Sequence, residues 1–337
     1  MATSHEEHGF NTVHNSNVEK RAKKRDLQRY TILAIICLVA LTVFMLLVMA
    51  VGGIIANVSS GNKGPGKERV DWGSFTVTTT DTYHGDLVLV NNTHEYTFPA
   101  DDGHLQEIYA KWATHSPRTY VLSGLSKYMD KDALAALDIM LTDFAAVSGK
   151  DNVQVRYAYR TLEEQKSFSV PAGYSDHHTG LGCELKYSIK TGDNPVAYDL
   201  STDPAYSWLT ENCYKYGFII RYPADKVDKT GIEDYNYYFR YVGVAHATYM
   251  TENNLCMEEY VELLKGYTHE KPLGINAADG NYYEVYYVAV DGSATVQHPT
   301  NYAYTVSGTN EGGVVITISR SQAIRPEEST GTGTTAG

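Results

Sequence analysis

The sequence predicts a mixed helix-and-strand body set between an N-terminal apolar run of membrane-spanning length and a C-terminal strand-rich appendage. Three observations carry this. Residues 130–147 (DKDALAALDIMLTDFAAV) place Leu134, Leu137, Met140, Leu141 and Phe144 at helical spacing, the stripe of a packing helix. Residues 153–160 and 218–223 are short alternating or apolar runs of strand type. Residues 282–290, 294–296 and 314–318 repeat β-branched and aromatic residues, with Asp291-Gly292 and Gly312-Gly313 at the turns.

Taken in order, residues 1–30 are polar and close on Lys20-Arg21-Ala22-Lys23-Lys24-Arg25 and Arg29; Thr31 to Val58 then runs without a charge. About 20 apolar residues cross a bilayer core. The run is too long for the core of a cleaved signal peptide, and no small-x-small site follows a short apolar region. Residues 31–58 are therefore expected to be an uncleaved transmembrane signal anchor. The basic flank stays cytoplasmic, and the rest of a single-pass protein lies outside the cell. Residues 59–85 are rich in Gly, Ser and Thr and read as a stalk.

The formal net charge is −12, and the first 30 residues hold six Lys/Arg against four Asp/Glu, so the body is more acidic still. That argues against a nucleic-acid partner, which needs a basic face. The 28 Tyr against 8 Phe and 3 Trp fit half-wet aromatic surfaces outside a membrane. Cys37 lies in the apolar run. Cys183, Cys213 and Cys256 remain, from which a Cys213–Cys256 disulfide or three buried thiols are the alternatives.

Within the body, residues 86–265, a strand is expected at 86–92. After the helix at 130–147, residues 153–165 alternate like a strand and then turn helical. Residues 203–217 read as a helix with Trp208, Leu209 and Cys213 on one side, followed by the strand at 218–223. Residues 252–264 read as a helix begun by an asparagine cap. Residues 274–322 form a small antiparallel β appendage expected to pack on the main body, the alternative being an aromatic face that binds peptide or glycan, and 323–337 a disordered tail.

The chemistry concentrates in Ser175-Asp176-His177-His178-Thr179-Gly180-Leu181-Gly182-Cys183-Glu184-Leu185. Gly180 and Gly182 give the backbone freedom for a tight loop that returns Glu184 beside His177. An imidazole and a carboxylate brought together suit a divalent metal such as zinc. A polar hairpin with a locally bonded histidine is the plainer alternative. Cys183 adjoins Glu184 on a strand, so it faces the other way and is not counted as a ligand.

This string resembles the pattern Ser-x-His-x-x-Gly-x-Ala-x-Asp of the zinc D-alanyl-D-alanine carboxypeptidases that trim bacterial cell-wall peptides, the family of the vancomycin-resistance carboxypeptidases. Ser175, His177 and Gly180 match; Gly182 stands for Ala and Glu184 for Asp. Tyr159, Arg160 and Gln165 match the family's Ser-Gly-Tyr-Arg-Ser-x-x-x-Gln, with Tyr157-Ala158 replacing Ser-Gly and Thr161 the second Ser. Residues 229–243 follow Thr-Gly-Ile, two residues, Glu-x-Trp-His, then Phe-Arg-Tyr-Val-Gly. The flanks are kept and the chemical positions are not. Tyr235 stands where the general-base glutamate belongs, and Tyr238 where the third zinc-ligand histidine belongs.

The resemblance covers about residues 86–265. It implies an α+β fold, a small antiparallel sheet flanked by helices with a zinc site on the sheet. His177 and Glu184 would hold the metal; Arg160, Gln165 and Ser175 would hold the substrate peptide. A guanidinium suits a peptide carboxylate through two parallel charge-assisted hydrogen bonds. Catalytic zinc uses three protein ligands and a water, and a nearby carboxylate takes that water's proton. A phenol with a pKa near about 10 is a poor base at neutral pH.

The expectation is a membrane-anchored, extracellular relative that binds or acts on peptidoglycan stem peptides ending in D-Ala. Its hydrolysis is impaired and its zinc weakly held or absent. The alternative is an active zinc carboxypeptidase with a rearranged site and an unforeseen third ligand. Glu233, Asp234 and His246 are the nearest candidates for that ligand, and a straight strand places none of them well. A purely structural surface protein ranks third.

Overall fold

The computed structural model describes residues 69–323, apart from 102, 125–126, 192–193 and 234. The apolar run at 31–58, the first part of the stalk, Asp234 and the tail from residue 324 lie outside the described residues. No helix among those described is long and apolar enough to cross a membrane. The chain forms β1 (Trp72–Thr78), β2 (Leu105–Glu107), α1 (Ile108–Thr114), β3 (Val121–Leu122), β4 (Tyr128–Asp130), α2 (Lys131–Ser148), β5 (Val153–Arg156), α3 (Leu162–Gln165), β6 (Gly182–Thr191) and β7 (Asn194–Asp199). There follow α4 (Ser207–Asn212), β8 (Phe218–Tyr222), α5 (Val227–Thr230), β9 (Tyr235–Tyr241), α6 (Val244–Glu252), α7 (Met257–Leu264), β10 (Leu273–Asn276), β11 (Tyr282–Ala289), β12 (Ser293–Pro299), β13 (Tyr302–Gly308) and β14 (Gly313–Ala323).

The expected packing helix is α2. Asp130 Oδ1 accepts the N–H groups of Asp132 and Ala133 at 2.9 and 3.0 Å and so caps its start. Gly149, at φ 69°, ends it in the left-handed conformation. The stripe from Leu134 to Phe144 is buried against Val153 and Val155 of β5, Cys183 and Leu185 of β6 and Phe239 of β9. These strands belong to a six-stranded sheet in the order β3-β5-β6-β9-β8, with β7 paired to the far end of β6. Only β3 and β5 run parallel. Successive strand residues alternate faces, so with Cys183 and Leu185 on the α2 side, Glu184 emerges on the other. The body is α+β, as expected.

Several elements differ from the sequence reading. The segment at 86–92 joins no sheet. Leu87, Val88, Leu89 and Val90 are buried, but arginine side chains take the place of a neighbouring strand. Arg240 Nη2 donates to the carbonyls of Asp86 and Val88 at 3.0 and 3.2 Å, and Arg221 Nη2 to that of Val90 at 3.3 Å. On the other edge, Leu87 N–H donates to Ser307 Oγ at 2.8 Å and Leu89 N–H to the Thr309 carbonyl at 3.1 Å. Residues 203–217 break into short 3-10 turns around the six-residue α4. Gly243, at φ 84°, stops the extended run after β9 and starts α6, so His246 sits on a helix rather than a straight strand. α7 begins at Met257, later than expected, and Glu259 Oε2 accepts the Cys256 N–H at 3.1 Å in place of an asparagine cap. Cys183, Cys213 and Cys256 are buried free thiols, which removes the disulfide alternative.

β10, β11, β14 and β13 form a four-stranded antiparallel sheet, and β12 pairs with β1 from Trp72↔Pro299 to Thr78↔Ser293. Residues 72–78 of the tract read as a stalk thus fold with the appendage. The appendage shares a core with the body, where Leu273, Ile275, Val285 and Val315 pack with Ile219, Val242, Ala245 and Tyr260. His246 lies in this seam, with Nδ1 2.8 Å from Tyr260 Oη and Nε2 2.9 Å from Thr317 Oγ1.

Candidate active site

The site sits on the sheet face opposite α2, where β6 is held on both sides. Glu184 faces Arg156 across the β5 pairing and Tyr238 across the β9 pairing. Before β6, residues 176–179 form a 3-10 turn that ends at Gly180, at φ 70°. This turn carries His177 beneath the loop that follows β5. His177 Nδ1–H donates to the Ala158 carbonyl at 2.8 Å, which leaves the lone pair of Nε2 directed into the site, 3.9 Å from Glu184 Oε1. Burial, and after it the Arg160 guanidinium, pushes the His177 pKa down to about 3, so the ring is neutral. His178 is spent structurally: its Nδ1 meets the Arg160 carbonyl at 2.7 Å, and its Nε2 accepts the Gly173 N–H at 3.0 Å.

Glu184 is nearly fully buried and already engaged. It accepts a hydrogen bond from the Tyr235 hydroxyl, and Arg160 Nη2 lies 3.5 Å from Oε1. Burial raises its pKa; the Tyr235 bond and the charges of Arg160, Arg156 and Lys186 pull against that. Burial and the Glu184 carboxylate in turn hold the Tyr235 phenol well above its usual pKa, so it is a donor and not a base. Tyr238 is fully buried, its ring edge-on to His177 with centroids 4.6 Å apart. Its hydroxyl turns away from His177 and Glu184 and donates to Asp176 Oδ2 at 3.0 Å.

The three residues expected to hold a peptide lie beside this cluster. Arg160 stacks over the Phe168 ring at 3.7 Å, and its Nη1 donates to Gln165 Oε1 at 3.2 Å. Its buried Nε has no partner among the described residues. Gln165 is fixed by α3, where Thr161 caps the helix, and by Nε2 donating to the Val170 carbonyl at 2.9 Å. Ser175 is buried at the entry to the 3-10 turn. Sequence reasoning missed the anchor of the loop, Asp176. It takes the Tyr238 hydroxyl and Arg240 Nη1, with Arg221 Nε 3.7 Å away. The available signal was an arginine in each of two strands otherwise made of apolar and aromatic residues and one asparagine, β8 and β9.

These donors do not fit a catalytic zinc centre. One imidazole nitrogen and one carboxylate converge, and that carboxylate is already engaged by a guanidinium and a phenol. The third position, Tyr238, is committed to Asp176. Three protein ligands are the usual minimum, and no cluster of three or more His, Cys, Asp or Glu side chains suited to a metal occurs among the described residues. Glu233 is exposed, and His246 is bonded to Tyr260 and Thr317.

A family model described as VanY, D-alanyl-D-alanine carboxypeptidase, matches residues 107–244. A D-alanyl-D-alanine carboxypeptidase of Enterococcus faecium is 31% identical over 253 residues, 72% of this chain and 78% of that relative. Another, of Enterococcus faecalis, is 35% identical over 108 residues, 32% of this chain and 37% of that relative. Among solved structures, the vancomycin-resistance D,D-dipeptidase VanXYg in complex with a D-Ala-D-Ala phosphinate analog matches with a TM-score of 0.63 at 25% identity. It covers 74% of this chain and 99% of its own. An alignment of 253 residues is longer than the stretch 86–265, so the likeness reaches into the strands outside it.

Proposed function

This chain belongs to the D-alanyl-D-alanine carboxypeptidase family, and from that premise we propose that it binds peptidoglycan stem peptides ending in D-alanine with its hydrolytic chemistry impaired. The observation that carries this reading is the state of Glu184 and Tyr238. Both of these metal-ligand positions, unlike His177, are engaged by another side chain, and Tyr235, at the base position, donates a hydrogen bond instead of taking a proton. The binding half of the site is better supplied. Arg160 is buried, aromatic-stacked and has an unbonded Nε, and it offers donors to a peptide carboxylate in a setting where charge-assisted bonds are strong. Gln165 sets the guanidinium plane, and Ser175 adds a hydroxyl.

In the same reading, residues 31–58 anchor the protein in the cell membrane as a single pass. The N-terminus is cytoplasmic and the body faces the wall. The alternative, an active zinc enzyme with a rearranged site, needs Tyr238 to leave Asp176 and a third ligand to replace it.

The test is metal content after zinc loading and desalting, with His177→Ala as control, beside titration with a peptide ending in D-Ala-D-Ala. We expect no stoichiometric zinc and binding that is lost in Arg160→Gln. Stoichiometric zinc that disappears in His177→Ala would overturn the impaired-hydrolysis half. Failure of the wild-type protein to bind the peptide would overturn the binding half.

A further inference from the structure

Arg156 has no assigned role, and its surroundings are unusual. It ends β5 directly across from Glu184, so it rises on the site face of the sheet. Its guanidinium carbon lies 5.1 Å from the centre of the Tyr157 ring, and that of Arg160 lies 4.9 Å from the same ring. One aromatic platform thus carries two cations, a contact type favourable to guanidinium groups. Tyr157 takes a φ of 41°, a left-handed conformation rare for an aromatic residue. Backbone in that region is found where a site fixes it.

The cations around Glu184 are not equally satisfied. Lys186 is paired with Asp199 at 2.7 Å. Arg160 faces Glu184 and Gln165. Arg156 forms no ion pair among the described residues, and its Nε is buried without a hydrogen-bond partner. A desolvated donor on a charged group is costly unless an acceptor completes it.

We propose that Arg156 and Arg160 form a two-cation seat for a peptide bearing two carboxylates. The C-terminal carboxylate meets Arg160, and a second, on a side chain near the C-terminus, meets Arg156. This rests on the peptide-binding reading above and specifies its ligand class. The two guanidinium carbons share one ring centre at 5.1 and 4.9 Å, so they are at most about 10 Å apart. An extended peptide advances about 3.3–3.6 Å per residue. The second carboxylate therefore belongs within about three residues of the C-terminus.

The experiment is calorimetric titration of the full-length protein with two peptides ending in D-Ala-D-Ala. One carries an acidic residue third from the C-terminus; the other carries the same residue amidated. The wild-type protein is expected to bind the acidic peptide about tenfold more tightly. Arg156→Gln is expected to bind both alike, with the wild-type affinity for the amidated peptide, which also shows that the variant is folded. Arg156→Lys should keep part of the preference, and Arg160→Gln should lose both peptides. Equal wild-type affinities, a preference that survives in Arg156→Gln, or loss of both peptides in Arg156→Gln overturns the two-cation seat and leaves peptide binding standing. If the wild-type protein binds neither peptide, the parent reading falls and this one with it.

Discussion

Tyr238 fills the space that a side chain at residue 182 would occupy. A Cβ built on Gly182 would lie 2.5 Å from the Tyr238 hydroxyl oxygen and 2.7 Å from Cζ, well inside van der Waals contact. The family pattern has alanine at the first position and histidine at the second. The two departures are therefore one steric event: the larger ring on β9 requires the loss of a methyl on β6.

Gly182→Ala is accordingly expected to destabilise the protein by about 1–3 kcal/mol through overpacking. Tyr238→His, a smaller ring, should relieve most of that cost when combined with it. Thermal unfolding of the two single variants and the double variant measures the coupling. Strict additivity would refute the steric link.

A four-fold reversion, Gly182→Ala, Glu184→Asp, Tyr235→Glu and Tyr238→His, should gain a full equivalent of zinc. His177 Nε2 already points at this space, and residue 238 faces residue 184 across the strand pair. Metal analysis after desalting checks it. A reverted protein that is folded and still metal-free would mean that the loop around Asp176 has moved the ligands out of reach.

Arg240→Met should be among the most damaging single changes, about 3–5 kcal/mol. It strands Asp176 in the interior and orphans the carbonyls of Asp86 and Val88. The expected readout is a large fall in melting temperature, with proteolysis starting in the 86–90 segment.

The seam histidine makes stability depend on pH. Burial pushes His246 down to about 4 from an ordinary value of 6.5. The unfolded chain therefore takes up the proton first, and stability falls as pH drops from about 6.5 toward 4, by up to about 3 kcal/mol from this group. Asp86, raised to about 7 by burial and by Asp130, works with the opposite sign over the same range. The comparison is therefore between wild-type protein and His246→Asn. The variant should show a shallower loss of stability on acidification, by about one proton in the slope of unfolding free energy against pH.

The sequence was most legible where period decides structure. The α2 stripe and the β8 run follow from spacing alone, because burying one face of a helix or a whole short strand leaves a pattern. The site positions were legible because each sits in a motif with fixed spacing. What escaped were pairings between distant side chains. The apolar run at 86–90 has the composition of a strand, yet guanidinium groups from β8 and β9 bond its carbonyls, and no local pattern announces that. Asp176 looked like an unremarkable loop residue between Ser175 and His177, although it anchors Tyr238 and Arg240. Arg156 differs from other arginines only in what surrounds it.

The pairing of β1 with β12 has a consequence for the order of folding. The two strands are more than two hundred residues apart in the chain. Loop closure over such a distance is slow relative to local helix and hairpin formation. As the chain emerges N-terminus first, Trp72–Thr78 must remain unpaired while the whole sheet with the site is made, and it finds its partner only once Ser293–Pro299 has followed. A chain that stalls or is cut before Ser293 leaves a strand with an open edge and a hydrophobic Val77, the kind of segment that invites aggregation or capture by a chaperone.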